Sequence, residues 1–159
     1  MKFSLETNLQ TTLVIIKPDA IQRGIIGEII TRLEHRGLKL IAAKFIHIKD
    51  EFAKKHYAAH IGKPFYEGLV RYISTSPVLV MVWAGPDAIK AVRQTFGATN
   101  PLEASPGTLR HDFAILTSRN LVHASDSVES AKIEIEMWFS KEELHFWDRE
   151  IDPWILGKN

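Results

Sequence analysis

Residues 120–129 carry the side chains that are best placed for chemistry. His123 ends a short apolar run and stands just before the cluster Ser125-Asp126-Ser127, which is typical of a helix start. An imidazole held between a strand and a helix can act as a nucleophile when a second group orients it. A helix N-terminus also favours anions, because its first amide groups lack partners. The segment therefore predicts phosphoryl transfer through a histidine.

The predicted helix after His123 carries a carboxylate that can orient the imidazole. With about 3.6 residues per turn, Glu134 lies on the same stripe of this helix as Ser127 and Ser130. A half-buried carboxylate in that position can bind one ring nitrogen of His123 and leave the other nitrogen free. On spacing alone, a structural histidine at the end of a strand stays open as the alternative.

Positive side chains occur where they could bind a polyphosphate. Lys17, Arg93 and Arg110 stand at the ends of predicted elements or in a long loop, outside any solvated run of charges. Together with the neutral donors Thr99 and Asn120, they can clamp phosphate groups. Each of them alone is more typical of an ordinary surface residue.

Several well-known site motifs are absent from the sequence. It contains no P-loop, no G-x-G-x-x-G after a strand and no G-x-S-x-G, so discrete side chains must bind any phosphate. Phe65 offers an aromatic face to a base, with core packing as its alternative. His56 and His60 are spaced to share a zinc ion, but Tyr57 stands where zinc proteases have glutamate. Solvated helix histidines are the simpler interpretation of this pair.

The composition indicates an ordinary globular protein. The 159 residues predict one domain, with an N-terminal extension over residues 1–10 and a C-terminal segment over residues 141–159 that packs on the domain or on a neighbouring subunit. The net charge of +1 gives no reason to expect nucleic acid or an anionic membrane as a partner. The absence of cysteine excludes disulfides and thiolate chemistry. Without a signal-peptide or membrane-span pattern, a cytoplasmic location is expected.

The hydrophobic pattern predicts alternating strands and helices. Strands are expected over residues 12–16, 38–48, 78–83 and 113–116, the last leading to the histidine segment. Helices are expected from residue 25 up to Gly37, which ends the first one, and over residues 50–60, 64–72, 89–96 and 128–138, the last capped by Asp126. This order predicts an α/β (α+β) sandwich of the ferredoxin-like, split βαβ type, with a four-stranded, mainly antiparallel sheet flanked by helices. Residues 97–107 are expected to form a long functional loop.

Six blocks of sequence, in a fixed order, carry a family resemblance. They are Ile16-Lys17-Pro18-Asp19-Ala20 with Gln22-Arg23-Gly24, His56-Tyr57, Pro64-Phe65, Gly97-Ala98-Thr99-Asn100-Pro101, Pro106-Gly107-Thr108-Leu109-Arg110, and Asn120-Leu121-Val122-His123-Ala124-Ser125-Asp126-Ser127. With these blocks the chain resembles the nucleoside diphosphate kinases from about Thr12 to Trp154. The last block is the most specific of the six.

The resemblance implies a reaction and a set of roles. Family members move the γ-phosphoryl group of a nucleoside triphosphate, such as ATP, to a nucleoside diphosphate by a ping-pong route through a phosphohistidine. By position, His123 would attack through Nδ1, Glu134 would hold Nε2, and Ser125 would support that pair. The family's phosphate and sugar contacts match Lys17, Tyr57, Arg93, Thr99, Arg110 and Asn120, and its base-stacking aromatic matches Phe65. The resemblance also implies Mg²⁺ carried by the nucleotide phosphates, without a direct protein ligand, and with Asp126 reaching it only through water.

The sequence departs from the family pattern at a few places. Ala124 and His111 each stand where glycine is usual. Ala124 matters only if its φ is positive, and His111 would add a titratable group near the phosphates. The segment after Lys141 matches less well, which leaves the choice among hexamer, tetramer and dimer open. The apolar side chains of this segment and the resemblance both predict a homo-oligomer, as a hexamer or tetramer.

Two other functions remain as alternatives. The chain could be a catalytically silent relative that serves as an interaction subunit, because fold alone does not prove activity. It could also be a nucleic-acid-binding module, since ferredoxin-like sheets serve RNA recognition. The aliphatic strands and the balanced charge disfavour nucleic acid as the primary partner.

Overall fold

The computed structural model describes residues 9–157, which form one four-stranded sheet with helices on both faces. The strands are β1 (Leu9–Ile16), β2 (Lys39–Ile46), β3 (Val78–Pro86) and β4 (Val122–Ala124). The helices are α1 (Pro18–Gln22), α2 (Ile26–His35), α3 (Asp50–His56), α4 (Tyr66–Ile73), α5 (Ala88–Phe96), α6 (Leu109–Phe113), α7 (Val128–Trp138) and α8 (Asp152–Leu156). The strand order β2-β3-β1-β4, antiparallel throughout, confirms the predicted ferredoxin-like fold class.

Residues 1–8 and 158–159 lie outside the described part of the chain. They are the outer ends of the predicted N-terminal extension and of the predicted C-terminal segment. Leu9 and Gln10, which the prediction placed in the extension, belong to β1 and pair with Pro86 and Gly85 of β3. The sheet therefore starts earlier than the apolar pattern indicates.

The central strand β1 is buried on both of its faces. Leu13 and Ile15 belong to the core beneath α3, α4 and α7, while Val14 and Ile16 belong to the core beneath α2 and α5. Successive side chains of a strand point to opposite faces, so both faces must be apolar when both are covered. This double burial explains why β1 appears in the sequence as a continuous apolar run.

A positively charged residue, Lys17, follows the central strand β1 directly. Pro18 is the first residue of α1, where its missing N–H and fixed φ are tolerated, and Lys17 precedes it in extended conformation. The backbone N–H of Lys17 donates to the carbonyl of Leu121 at 2.9 Å. The strand-to-helix transition at Pro18 therefore places Lys17 beside the segment that leads to His123.

The short edge strand β4 carries His123 next to β1. His123 is opposite Ile15, and the N–H of Ser125 donates to the carbonyl of Leu13 at 3.1 Å. Val122 and Ala124 belong to the core shared with α5. Because side chains alternate along a strand, His123 points to the opposite face, which α3 and α7 cover.

The strand predicted over residues 113–116 is wrong. Phe113 is the last residue of α6, and Leu116 forms only an isolated bridge with Arg119. Ile115 and Leu116 are 69% and 59% exposed, so their apolar side chains do not enter the core of the described chain. A run of only a few apolar residues does not distinguish a buried strand from an exposed turn, and here the fourth strand begins at Val122.

Several predicted helix boundaries also change. Helix α3 ends at His56, and the stretch predicted to continue it is a 3-10 turn, Ala58–His60. Helix α4 begins at Tyr66 rather than at Pro64. Helix α7 is capped by Ser127, whose Oγ accepts from the N–H of Ser130 at 3.0 Å, and not by Asp126.

Within the described residues, the C-terminal segment packs on β2. The N–H of His145 donates to the carbonyl of Ile41, and the indole N–H of Trp147 donates to the carbonyl of Leu40, both at 3.0 Å. Along the part of the chain that the structure describes, no helix is long and apolar enough to cross a membrane.

Candidate active site

The imidazole of His123 contacts a carboxylate on α7. His123 Nε2 lies 3.1 Å from Glu134 Oε1, and the second oxygen of Glu134 accepts from Ser125 Oγ at 2.6 Å. The Ser125 hydroxyl also accepts from the N–H of Leu13, so β1 fixes it in place. All three side chains predicted for the chemistry therefore form one hydrogen-bonded group.

This contact determines which nitrogen of His123 is free. An ionised carboxylate only accepts hydrogen bonds, so His123 Nε2 must carry the proton and Nδ1 keeps its lone pair. Burial acts to raise the pKa of Glu134, but the hydrogen bonds from His123 and Ser125 outweigh it and the pKa is lowered. Glu134 is therefore ionised near neutral pH and can stabilise positive charge on the ring.

Lys17 and Asn120 form a buried, hydrogen-bonded pair near the segment that leads to His123. Lys17 Nζ donates to Asn120 Oδ1 at 2.6 Å, and Asn120 Nδ2 donates to the carbonyl of Thr99 at 2.9 Å. Burial and the nearby charge of Arg110 lower the pKa of Lys17 from 10.5 to about 8. Asn120 thus joins the end of β1 to the long loop, and it holds the lysine by one hydrogen bond.

Arg110 is a buried guanidinium that binds backbone carbonyls. Its Nε donates to Asn120, and its two terminal nitrogens donate to Gly97 and Val122, at 3.1, 2.9 and 2.8 Å. Burial, and then the charge of Arg93, lower its pKa to about 10, which leaves the side chain charged at neutral pH. Arg110 therefore ties the long loop to the start of β4.

Gly97 begins the long loop in a conformation that favours glycine. Its φ is 83°, and an added Cβ would collide with the side chain of Thr108. Its carbonyl is an acceptor for Arg110. The loop over residues 97–107 is irregular apart from a 3-10 turn, Pro101–Glu103, as the sequence predicted.

Arg93 and Asp126 line a neighbouring cavity of about 780 Å³. Both side chains are exposed. The hydrogen bond from Ser130 Oγ and the charge of Arg93 lower the pKa of Asp126. The structure thus places a cation and an ionised carboxylate in the lining of one cavity, beside the loop that holds Arg110.

Phe65 is linked to His123 by a series of neighbouring rings. Phe65 is 51% exposed and lies 5.7 Å from the ring of His60, which lies 6.2 Å from Tyr57. Tyr57 in turn contacts His56 at 4.7 Å, and His56 contacts His123 at 5.0 Å. Phe65 is thus at the open end of one aromatic wall, and the core alternative for this residue is wrong.

His56, at the buried end of this wall, was interpreted from the sequence as a solvated helix histidine, and that interpretation is wrong. His56 Nδ1 accepts from the indole N–H of Trp138 at 3.1 Å, and burial followed by the charge of His123 lowers its pKa to about 3. It is a neutral histidine packed behind the nucleophile and not a solvated one. Residues 56 and 60 alone could not reveal this, because Trp138 comes from a distant helix.

Ala124 and His111, which stand where the family usually has glycine, have different surroundings in the structure. Among the described residues, the only non-glycine positions with positive φ are Asp87 and Leu121, so Ala124 is unstrained. The ring of His111 faces Asp112, with 3.2 Å between Nδ1 and Oδ1. The structure therefore directs His111 toward a carboxylate of α6.

Comparison with known proteins identifies the family. The family model described as nucleoside diphosphate kinase matches residues 10–144. The chain belongs to the nucleoside diphosphate kinase family. A nucleoside diphosphate kinase from Listeria monocytogenes serotype 4a (strain HCC23) is 52% identical over 92% of this chain and 100% of its own length. One from Herpetosiphon aurantiacus is 53% identical, with 92% and 99% covered.

Solved structures of this family have the same fold. A halophilic nucleoside diphosphate kinase from Halobacterium salinarum, determined in complex with CDP, is 46% identical with a TM-score of 0.89. The superposition covers 92% of this chain and 97% of the halophilic one. The chain is accordingly an enzyme, a nucleotide-binding kinase of the transferase class. A catalytically silent relative is not favoured.

Proposed function

We propose that this nucleoside diphosphate kinase works by a ping-pong reaction in which the γ-phosphoryl group of ATP, or of another nucleoside triphosphate, passes through phospho-His123 to a nucleoside diphosphate. The contact between His123 Nε2 and Glu134 carries the proposal, because it leaves Nδ1 as the free nucleophile. The surrounding donors and cations support it.

In the first half-reaction, the Nδ1 lone pair attacks the γ-phosphorus. The bond to the oxygen that bridges the β- and γ-phosphates breaks, and the nucleoside diphosphate leaves with that electron pair. The proton on Nε2 stays in its hydrogen bond with Glu134, which stabilises the positive ring. In the second half-reaction, a terminal oxygen of another diphosphate attacks the phosphorus and the N–P bond breaks.

The remaining side chains bind the nucleotide. Fixed cations stabilise the charge on the transferring phosphoryl oxygens without reorganising during the step. We assign phosphate and sugar binding to the residues that match the family's contacts, namely Lys17, Tyr57, Arg93, Thr99, Arg110 and Asn120. Burial raises the pKa of Tyr57, so its hydroxyl is a neutral donor. Phe65 would stack on the base, which tolerates any base because each has a π-face.

The metal of the proposed reaction is Mg²⁺ bound by the nucleotide. When bound, it would neutralise charge on the β- and γ-phosphates. Among the described residues, no group of three or more His, Asp or Glu side chains is arranged to hold a metal ion. Asp126 would contact the metal only through water, which fits an ionised carboxylate that lines the same cavity as Arg93.

The remaining assignments are also proposals. We propose nucleoside di- and triphosphates as partners, which the CDP complex of the halophilic relative supports. We propose one domain over residues 1–159 and a homo-oligomer, hexamer or tetramer, in which exposed Trp154 and Phe146 contact a neighbouring subunit. A cytoplasmic location stays a prediction from the composition.

The covalent intermediate is directly testable. After incubation with Mg²⁺ and γ-labelled ATP, the protein should carry label that is stable in alkali and lost in acid. His123→Ala should abolish both the label and the transfer of phosphate to a diphosphate of another base. Full activity in His123→Ala would rule out the proposed mechanism.

A further inference from the structure

The residue between Asn120 and Val122 has an unusual backbone conformation. Leu121 has a φ of 74°, and the N–H of Val122 donates to the carbonyl of Asn120 at 2.9 Å. A bond between residues i and i+2 around a positive φ is a γ-turn of the strained kind, which is rare for a residue with a Cβ. Leu121 is fully buried, so solvent plays no part in holding this turn.

The polar groups of Leu121 are bound by the end of β1 and the start of α1. Its N–H donates to Asp19 Oδ2 at 3.1 Å, and its carbonyl accepts from the N–H of Lys17 at 2.9 Å. The other oxygen of Asp19 accepts from the hydroxyl of Tyr72. Strained backbone persists only where the surroundings fix it, and here Asp19 supplies the contact to the amide.

The turn sets the position of several residues to which phosphate binding is assigned. The carbonyls on its two sides, of Asn120 and Val122, both accept from Arg110. The side chain of Asn120 accepts from Lys17 Nζ. His123 follows Val122 directly, so a relaxed turn would displace the nucleophile and its phosphate-binding partners together.

We propose that Asp19 is a positioning residue that holds the strained turn at Leu121 and thereby aligns Asn120, Lys17 and Arg110 with His123. It acts through these groups and does not contact the substrate. This inference rests on the proposed function, because the alignment matters only if His123 receives the phosphoryl group. In the sequence, Asp19 stands out only as part of the matched motif.

Three single variants separate positioning from mere stability. Asp19→Ala removes the acceptor of the Leu121 amide. Asp19→Asn keeps a carbonyl oxygen for that amide and an NH₂ group for Tyr72. Tyr72→Phe is the matched control, because it removes the other bond to the same carboxylate and leaves the contact to Leu121.

The measurement is the single-turnover phosphorylation of His123 by Mg·ATP, with the midpoint of thermal unfolding recorded in parallel. Losing the charge of Asp19 lowers the pKa of Lys17, so the assay is run at about pH 6.5, well below the parent value of about 8, where this effect on protonation is smallest. Asp19→Ala should slow phosphorylation at saturating ATP by about tenfold or more and raise the half-saturating concentration. Asp19→Asn and Tyr72→Phe should stay within about threefold of the parent.

A rescue tests the strain itself. Glycine adopts a positive φ without a steric penalty, so Leu121→Gly should remove the strain that Asp19 opposes. Asp19→Ala should then cost less in the Leu121→Gly background than in the parent. If the cavity left by Leu121→Gly prevents folding, the three single variants decide alone.

Two results would overturn the inference. One is an unchanged phosphorylation rate in Asp19→Ala. The other is an equal loss of rate in Asp19→Ala and Tyr72→Phe that follows their loss of thermal stability, which would make Asp19 structural only. A parent protein that forms no phosphohistidine would instead refute the proposed function.

Discussion

At the scale of single residues, Lys17 shows how burial tunes a charge. Its side chain is only 9% exposed, and its ammonium group donates to Asn120. Desolvation opposes the charged form, and the charge of Arg110 opposes it further, so the pKa lies at about 8. The carboxylate of Asp19 acts in the other direction. A bound polyphosphate would favour the charged form and raise this pKa again.

This shift predicts how nucleotide affinity depends on pH. Below a pH of about 8, Lys17 is already protonated, so the affinity for ADP should change little. Above that pH, the complex takes up a proton that the free enzyme lacks, and the affinity should fall by up to about tenfold per pH unit. Titrations with ADP from about pH 7 to 9.5 measure this, since Arg110, with a pKa of about 10, stays mostly charged there.

Lys17→Arg is the control for this pH effect. A guanidinium keeps its charge across the whole range, so the fall in affinity above a pH of about 8 should disappear even if the overall affinity is lower. A parent curve that is flat up to about pH 9.5, or a variant that shows the same step, would contradict the role given to Lys17.

At the scale of elements, the contact between α3 and α7 packs a neutral histidine behind the nucleophile. The indole of Trp138 can only donate, so His56 Nδ1 is unprotonated and its proton lies on Nε2. That second nitrogen is buried and has no hydrogen-bond partner among the described residues. The ring of His56 lies edge-on to His123, with 81° between the two planes. The two helices thus limit the orientation of the nucleophile.

The low pKa of His56 predicts part of the acid sensitivity of the fold. Its pKa falls from 6.5 to about 3 on folding, so below a pH of about 6.5 only the unfolded chain binds this proton. The contribution of His56 to stability is complete above that pH and is lost as the pH falls toward about 3. The slope is up to about 1.4 kcal/mol per pH unit.

Urea unfolding at a series of pH values checks this contribution. His56→Asn places an oxygen near the position of Nδ1, keeps the acceptor for Trp138 and cannot titrate. Between about pH 6.5 and 4 it should lose less stability than the parent. His35→Asn, at an exposed histidine of α2, serves as the control and should follow the parent. Parallel curves for the parent and His56→Asn would refute a neutral, buried His56.

These elements also show which parts of the fold and of the site could be predicted from the sequence alone. The strands near residues 12–16 and 78–83 were predictable because both faces of β1 and β3 are buried, which requires continuous apolar runs. The contact of Glu134 with His123 was expected from helical spacing. The fourth strand was predicted at residues 113–116 instead of at β4, because a strand of three residues shows too little hydrophobic pattern. The burial of His56 depends on Trp138, which local spacing does not reveal.

At the scale of the whole molecule, a small network joins the C-terminal segment to the turn between α2 and β2. Lys39 Nζ lies 2.5 Å from Asp152 Oδ2, and Arg149 Nε lies 2.8 Å from the other oxygen. Arg149 also donates to the carbonyls of Gly37 and Leu38. The side chain of Lys39 is 5% exposed and that of Asp152 is 14% exposed, so solvent screens this contact only weakly.

The network holds a segment with large exposed apolar side chains. Trp154 is 86% exposed, and Phe146 and Ile151 are more than half exposed. An apolar surface of this kind is typical of a protein–protein contact, which fits the proposed homo-oligomer. If the segment forms part of a subunit interface, its attachment to β2 fixes the geometry of that interface. Stability and self-association should then change together when the attachment is lost.

Asp152→Ala should therefore lower the free energy of unfolding by about 3 kcal/mol, because it removes the carboxylate that both Lys39 and Arg149 bind. Amide exchange should become faster over residues 145–157, and light scattering at micromolar concentration should show weaker self-association. Asp148→Ala, at an exposed carboxylate in the same segment, is the control and should resemble the parent. Unchanged exchange in Asp152→Ala would show that the ion pairs do not hold the segment. Faster exchange with unchanged self-association would place the subunit contact elsewhere on the molecule.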